Sequence, residues 1–476
     1  MMTAKESNRG KDLLKNTGII GFGTMCTKAL AFLLLPLYTA LLSTSDYGTF
    51  DLVTTIGTLL VPIVHLQLSQ AIFRFAAEAR GDEDNMASIL TAVYIESGVL
   101  ALIYVVAFFV AAPFITLPYK WVLLPYVLVN VALQLALYTA RGIGDNVTYA
   151  LGSFVSASLT VVLNVVLLVG FSMGIDGMML SCCLGPLFGT AVISLRTCPW
   201  RYFRPSLWSV TRARDLTRYA LPLMPNEISW WALQSADRVI VATALGTAAN
   251  GLISVANKFS TIYSTVFSVF NASWTEQVIL HYRDEDGEDF IRRTVDVTVR
   301  FFSALFLLIL AVMPFLWPIM VNAKFSDAYG LVPFYMVAVY ANLFTGLVSP
   351  IYLVNNESRK VMEATIVSAI VSIVSLVALM GPLGVYAAPV STIIGYGLVA
   401  VMRVVDIERR HMHVGLDARV LVSTFVLAGA TAAAYFIGGL AANCICLGLC
   451  LTFSVAVNRS SAIVLIGEFK DRKKHA

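Results

Sequence analysis

Long apolar runs separated by short polar breaks make up almost the whole chain. Each run is about 18–25 residues long, the length that crosses a bilayer as one α-helix. Because a bilayer offers no water to unpaired backbone groups, runs of this length predict helices. The pattern therefore predicts an all-α polytopic membrane protein with about 14 transmembrane helices. The predicted spans are 16–42, 50–71, 87–111, 121–140, 147–170, 175–195, 218–245, 251–275, 298–320, 329–354, 361–381, 384–403, 420–438 and 441–457.

The second and eighth predicted helices each carry a polar stripe along one face. Steps of three and four residues place the members of each stripe on one side of a helix. The first stripe is Gly48, Asp51, Thr55, Thr58, Pro62, His65 and Ser69, and the second is Gly251, Ser254, Lys258, Thr261, Thr265, Ser268 and Ala272. A polar face among apolar residues is expected to contact protein or a watery cavity and not lipid.

The two stripes are 203 residues apart, and this offset indicates an internal repeat. Gly48 corresponds to Gly251, and Lys15 before span 1 corresponds to Arg218 before span 7. A unit of six spans makes both copies enter the membrane from the same side, with a binding site expected at their interface. The repeat thus predicts two pseudo-symmetric six-helix lobes plus two extra helices. The predicted domains are an N-terminal lobe, 1–204, a C-terminal lobe, 205–406, and two extra helices with a basic cytoplasmic tail, 407–476.

Composition and charge agree with a membrane protein and set its orientation. The chain is 58% hydrophobic and 13% charged, whereas soluble domains have about 25% charged residues. With a cytoplasmic N-terminus, 28 of the 33 Lys and Arg fall on the cytoplasmic side and two, Lys120 and Lys324, fall outside. This asymmetry is what the positive-inside rule predicts. The net charge of +4 is therefore explained by orientation and by a basic tail on membrane lipid, and does not indicate a nucleic-acid partner.

A charged and aromatic face on span 7 is the main candidate for ligand binding. Glu227, Trp231, Gln234 and Arg238 recur at steps of four, three and four residues, so they share one face. Aromatic rings stack on sugars, and a guanidinium group binds phosphate through two parallel hydrogen bonds. The face therefore suits a sugar or phosphate ligand.

With Arg218, Arg300 and Arg403 at span ends counted as cytoplasmic, three cations lie within the predicted spans: Lys28, Arg238 and Lys258. Each costs about 2.5–3.5 kcal/mol at membrane depth on insertion scales, and an anionic ligand would stabilise them. An internal network of ion pairs is the alternative, and it stays open at this point. The acidic residues that could form such pairs are Asp51, Glu96, Glu227 and Asp237. Of these, Asp237 and Glu227 are also candidates for coupling transport to an ion.

Proline residues within the spans predict bends or breaks. Pro36 lies in span 1, Pro62 in span 2, and Pro222 and Pro225 in span 7. Because spans 1 and 7 are equivalent in the repeat, bends in both would allow the lobes to open on alternate sides.

The sequence contains no signature of an enzyme. It has no phosphate-binding Walker loop, no zinc-binding histidine pair and no nucleophile elbow. We therefore expect no catalytic residues, no cofactor and no metal. Without an ATP site, the energy for transport would come from an ion gradient of protons or sodium, the membrane potential or the substrate's own gradient.

Several segments resemble the polysaccharide transporter (O-antigen flippase) family of the multidrug/oligosaccharidyl-lipid/polysaccharide exporter superfamily. These are Ser45-Asp46-Tyr47-Gly48, Leu221-Pro222-Leu223-Met224-Pro225, Ser235-Ala236-Asp237-Arg238 and Gly251-Leu252-Ile253-Ser254-Val255-Ala256-Asn257-Lys258-Phe259. The resemblance implies a cationic central cavity and alternating access. It implies a polyprenyl-diphosphate-linked oligosaccharide as substrate, carried from the inner to the outer leaflet for surface polysaccharide assembly. Lys28, Arg238 and Lys258 would then bind the diphosphate.

The resemblance also implies a bacterial inner membrane location and a polysaccharide polymerase as a partner. Two rivals share the fold: a multidrug cation antiporter and a flippase for a lipid-linked peptidoglycan precursor. Buried cations argue against cationic drugs as substrates. A membrane-embedded glycosyltransferase or polymerase would need a long outside loop or an acidic cluster, and neither is visible. A structural scaffold would not need two matched polar stripes.

Overall fold

The computed structural model describes residues 32–475, and the side chains of residues 32–459. This part of the chain is helical and contains no β-strand. The helices are α1 Leu35–Leu41, α2 Thr44–Val64, α3 Leu68–Glu78, α4 Glu83–Ala111, α5 Lys120–Ile143, α6 Asn146–Val165, α7 Ile175–Thr197, α8 Val210–Ala220, α9 Met224–Leu245, α10 Thr247–His281, α11 Gly287–Met320, α12 Val332–Val354, α13 Ser358–Leu383, α14 Ala387–Arg410, α15 Ala418–Ile437 and α16 Leu440–His475.

The helices confirm the predicted all-α membrane architecture. Each predicted span after the first falls on one helix or on two successive helices, while most of span 1 lies outside the described residues. Ten segments of the described chain are long and apolar enough to cross a membrane, and one of them, Ser358–Arg410, contains both α13 and α14. Helices α9 and α10 are not among the ten. They carry the charged face and the second polar stripe, which lower their hydropathy.

Prolines were predicted to bend or break spans 2 and 7. Span 2 is broken between α2 and α3, where Leu66 and Gln67 adopt left-handed backbone angles (φ 49° and 57°) four and five residues after Pro62. Span 7 is interrupted between α8 and α9. Pro222 lies in a short 3-10 turn, and Pro225 lies in the first turn of α9, where its missing N–H group breaks no hydrogen bond.

Side-chain caps fix where several helices begin. The carboxylates of Asp82 and Asp145 accept hydrogen bonds from the backbone N–H groups of Asn85 and Thr148, at the start of α4 and α6. Asp417 does the same for α15. An oxygen at this position satisfies a backbone donor that has no partner within the helix.

The structure contains two compact units, one up to Ser254 and one from Val255 onward, so that α10 contributes to both. In the first unit α2–α5 surround a core that includes Leu68, Ile72 and Val127, and α8 inserts Leu216 into it. This division follows the packing of the helices. The repeat predicted different boundaries, and these remain a prediction: lobes 1–204 and 205–406, and the segment 407–476.

The second unit is built around aromatic packing and two pairs of helices. Helix α14 packs on α12 and on α13, and α11 packs on α15 and α16. Phe302 packs edge-on against Tyr263 and Phe267, and Trp274 donates a hydrogen bond from its ring nitrogen to the Leu347 carbonyl at 2.9 Å. Such buried indole groups are satisfied by a backbone acceptor.

Candidate functional site

The charged and aromatic face of α9 lies partly against α2 in the first unit. Trp231 donates from its ring nitrogen to the Thr55 carbonyl and to the Thr58 hydroxyl, both at 3.2 Å. Glu227 and Gln234 are exposed, while Trp231 is half-buried. The face therefore has one side fixed by α2 and another that is open to a ligand.

Arg238 forms an ion pair with Asp51 of α2. The Nη1 and Oδ1 atoms lie 3.0 Å apart, and the two side chains are 20% and 9% exposed. The amide of Asn250 lies 3.3 Å from the other carboxylate oxygen of Asp51. The internal pairing left open by the sequence is thus present for Arg238, and the partner is Asp51.

Asp237, which directly precedes Arg238 in the sequence, is buried. Its carboxylate accepts a hydrogen bond at 2.9 Å from the backbone N–H of Arg238, and its exposed fraction is 7%. Of the two residues proposed for coupling, Asp237 is therefore enclosed by protein and Glu227 is accessible.

The repeat-related glycines Gly48 and Gly251 meet where α2 crosses the beginning of α10. A Cβ atom on Gly48 would lie 1.8 Å from the Thr247 carbonyl oxygen, and one on Gly251 would lie 2.1 Å from the Thr44 carbonyl oxygen. Thr44 and Thr247 are themselves 203 residues apart. The contact is therefore reciprocal, as expected at a two-fold-related crossing, and small residues four positions apart allow this close approach.

The second polar stripe changes from buried to exposed along α10. Gly251 and Ser254 are buried, Lys258 and Thr261 are half-buried, and Thr265 is buried. Only the last two members, Ser268 and Ala272, are exposed. The expected watery surface thus includes only part of the stripe in this conformation.

The predicted ligand-binding cations fall in different parts of the structure. Arg238 belongs to the first unit and Lys258 to the second, and Lys28 lies outside the described residues. In the described chain no group of three or more His, Cys, Asp or Glu side chains is arranged to hold a metal ion.

A polar face on α5 belongs to the same region and was missed in the sequence. Asn130, Gln134 and Tyr138 recur at steps of four residues, which is the signal that would have found them. Gln134 accepts a hydrogen bond from His65 at 2.8 Å, and Tyr138 accepts one from Gln70 at 3.3 Å. His65 also accepts from the Gln67 backbone, so it holds the break between α2 and α3.

Comparison with solved structures identifies the fold. The lipid II flippase MurJ in an inward closed conformation is 12% identical, with a TM-score of 0.68 over 94% of this chain and 99% of that one. An inward-facing multidrug resistance MATE family transporter of the MOP superfamily is 14% identical, with a TM-score of 0.67 over 85% and 95%. Its outward-facing counterpart is 16% identical, with a TM-score of 0.56 over 83% and 95%. At these identities the likeness establishes the fold alone, which this chain shares with those multi-pass membrane proteins.

The sequence itself gives the family. Residues 13–275, more than half of the chain, match the profile of the family described as polysaccharide biosynthesis protein. The chain belongs to this family, and the resemblance seen in its motifs is confirmed. Comparison with curated proteins gave no significant match.

Proposed function

We propose that this protein is a flippase that moves a polyprenyl-diphosphate-linked oligosaccharide from the inner to the outer leaflet of the bacterial inner membrane by alternating access. The observation that carries the proposal is the face of α9, where Trp231 and Arg238 lie beside the exposed Gln234 in a chain of the polysaccharide biosynthesis protein family. An aromatic ring, an amide and a guanidinium group together suit a sugar diphosphate.

We assign headgroup binding to Lys28, Trp231, Gln234, Arg238 and Lys258. Arg238 already interacts with Asp51, so the incoming diphosphate would compete with that carboxylate for the guanidinium group. Asp237 and Glu227 are assigned to coupling with protons or sodium. The product would leave at the outer leaflet for the polysaccharide polymerase, and both termini would be cytoplasmic.

Replacing Lys258 with alanine tests the assignment. We expect the initial rate of transport of a fluorescent lipid-diphosphate-oligosaccharide into proteoliposomes to fall about tenfold or more, since a hydrogen bond to a charged group contributes about 1.5–3 kcal/mol. The matched control is Lys324→Ala, which removes an equal charge from an exposed position and should leave the rate unchanged. Equal rates for wild type and Lys258→Ala, at matched protein content, would exclude the ligand role.

The same vesicles distinguish the substrate classes. A lipid-linked peptidoglycan precursor and a cationic dye serve as competing substrates. Faster transport of the dye would favour the antiporter, and faster transport of the precursor would favour the other flippase. We expect the oligosaccharide carrier to be preferred to both.

Water access to the face of α9 gives an independent prediction. In a cysteine-free background that retains transport, Gln234→Cys should react with a membrane-impermeant maleimide, because Gln234 is exposed and the proposed cavity is wet. Leu233→Cys is the control, since Leu233 is 3% exposed on the same helix and should react at least tenfold more slowly. Equal protection of both positions would mean that lipid or protein covers this face.

A further inference from the structure

The second unit contains a candidate site for an anionic ligand. A cavity of about 570 Å³ opens between the start of α13 and the end of α14. Its lining contains more cations than carboxylates. The charged lining residues are Lys360, Arg403, Arg409 and Arg410, with Glu363 and Asp406. The excess of positive charge favours an anion.

Arg403 forms the floor of this cavity. It is 2% exposed, and it donates hydrogen bonds to the Ser349 and Thr365 hydroxyls at 2.7 and 2.6 Å and to the Val361 carbonyl at 2.9 Å. These three contacts fix the guanidinium group in place. Arg403 ends predicted span 12, and its burial was not among the sequence predictions.

The rim of the cavity holds the accessible cations. Arg410 lies 2.9 Å and Lys360 3.9 Å from Asp406, so one carboxylate is shared by two cations. Lys360 also contacts Glu357 at 2.7 Å, and this hydrogen bond lowers the pKa of that carboxyl group. Arg409 is exposed and forms no ion pair within the described part of the chain. The guanidinium group of Arg409 is therefore available to bind an anion at the rim.

An apolar surface continues from the cavity along both helices toward their middle. On α14 Val401 is 61% exposed and Val405 39%, and on α13 Val367 is 44% exposed and Ile370 57%. Because both helices belong to a segment long and apolar enough to span the membrane, their charged ends belong at the level of the lipid headgroups. A ligand that fits has an anionic head and apolar tails.

We propose that this cavity binds an anionic phospholipid of the surrounding bilayer, with its phosphate on Lys360, Arg409 and Arg410 and its acyl chains along Val401 and Val405. The first turn of α13 also favours a phosphate, since helix N-termini carry partial positive charge. This lipid site does not depend on the identity of the transported substrate.

The test measures thermal stabilisation of the purified full-length protein by lipid. Phosphatidylglycerol added to mixed micelles should raise the midpoint of unfolding at about tenfold lower concentration than phosphatidylcholine does. Arg409→Gln should weaken this effect several-fold, and Lys360→Gln/Arg409→Gln should weaken it about tenfold or more. Arg409 is exposed and makes no ion pair with the residues that the structure describes, so the single variant keeps the test valid if the double variant does not fold.

The control is Arg293→Gln/Arg419→Gln, which removes two exposed arginines that do not line the cavity. An equal loss of stabilisation in this control would mean that lipid binding depends only on the overall positive charge, and would overturn the site. Inorganic phosphate or glycerol phosphate should have no effect at matched concentration. Full stabilisation by either would assign the cavity to a soluble phosphate and overturn the lipid.

Discussion

Replacing Gly48 with alanine is expected to destabilise the first unit by about 3 kcal/mol, the upper end of the usual cost of overpacking. The added Cβ would lie 1.8 Å from a backbone oxygen of Thr247. Backbone cannot rotate away as a side chain does, so α2 and α10 must separate. For a unit of this size the unfolding midpoint should fall by about 6–12 °C, measured in detergent at a fixed heating rate.

The equivalent glycine of the crossing and two control glycines test this prediction further. Gly251→Ala should have a similar effect, because its Cβ would lie 2.1 Å from the Thr44 carbonyl oxygen. Gly98→Ala and Gly429→Ala are the controls: both glycines are helical, and an added Cβ would have no neighbour within 4 Å. A loss as large in the controls as at Gly48 would mean that glycine flexibility, and not the crossing, sets the stability.

This crossing also marks a limit of sequence reasoning. The offset of 203 residues identified Gly48 and Gly251 as equivalent positions, but equivalence alone does not say whether the two touch. Contact follows only when Thr44 and Gly48 on one helix, and Thr247 and Gly251 on the other, leave no side chain between the backbones. Nothing in the pattern of a single helix contains that information.

The helices themselves were predictable because bilayer thickness sets their length. The break after Pro62 was harder to place. It depends on Leu66 and Gln67, which adopt left-handed angles that side chains rarely favour, and on His65, which bonds Gln134 of another helix. Such contacts between distant segments outweigh the local hydrophobic pattern.

The candidate site was predictable to a similar degree. Helical spacing placed Trp231 and Arg238 on one face of α9, but it did not show that both contact α2. Four carboxylates were available to Arg238. Packing selects Asp51. The partners on α5 were overlooked because Asn130, Gln134 and Tyr138 are uncharged, and a search for buried charge does not find them.

The Arg238–Asp51 ion pair allows stability and transport to be separated. Asp51→Asn leaves a half-buried guanidinium group without its carboxylate, and Arg238→Gln leaves a buried carboxylate without its cation. Each should lower the stability by about 1.5–3 kcal/mol. The double variant should recover most of this loss, because neither charge remains and two amides can bond each other.

Transport should not recover with stability. If Arg238 binds the diphosphate as we propose, the Asp51→Asn/Arg238→Gln protein is stable but its initial transport rate stays about tenfold or more below that of the wild type. The matched control is Asp296→Asn/Arg300→Gln/Asp417→Asn, which removes a half-buried cluster of ion pairs in the second unit, since Arg300 contacts both carboxylates; it should transport normally. Recovery of both properties in the first double variant would make the pair purely structural, and headgroup binding would then have to rest on other residues of α9 and on Lys258.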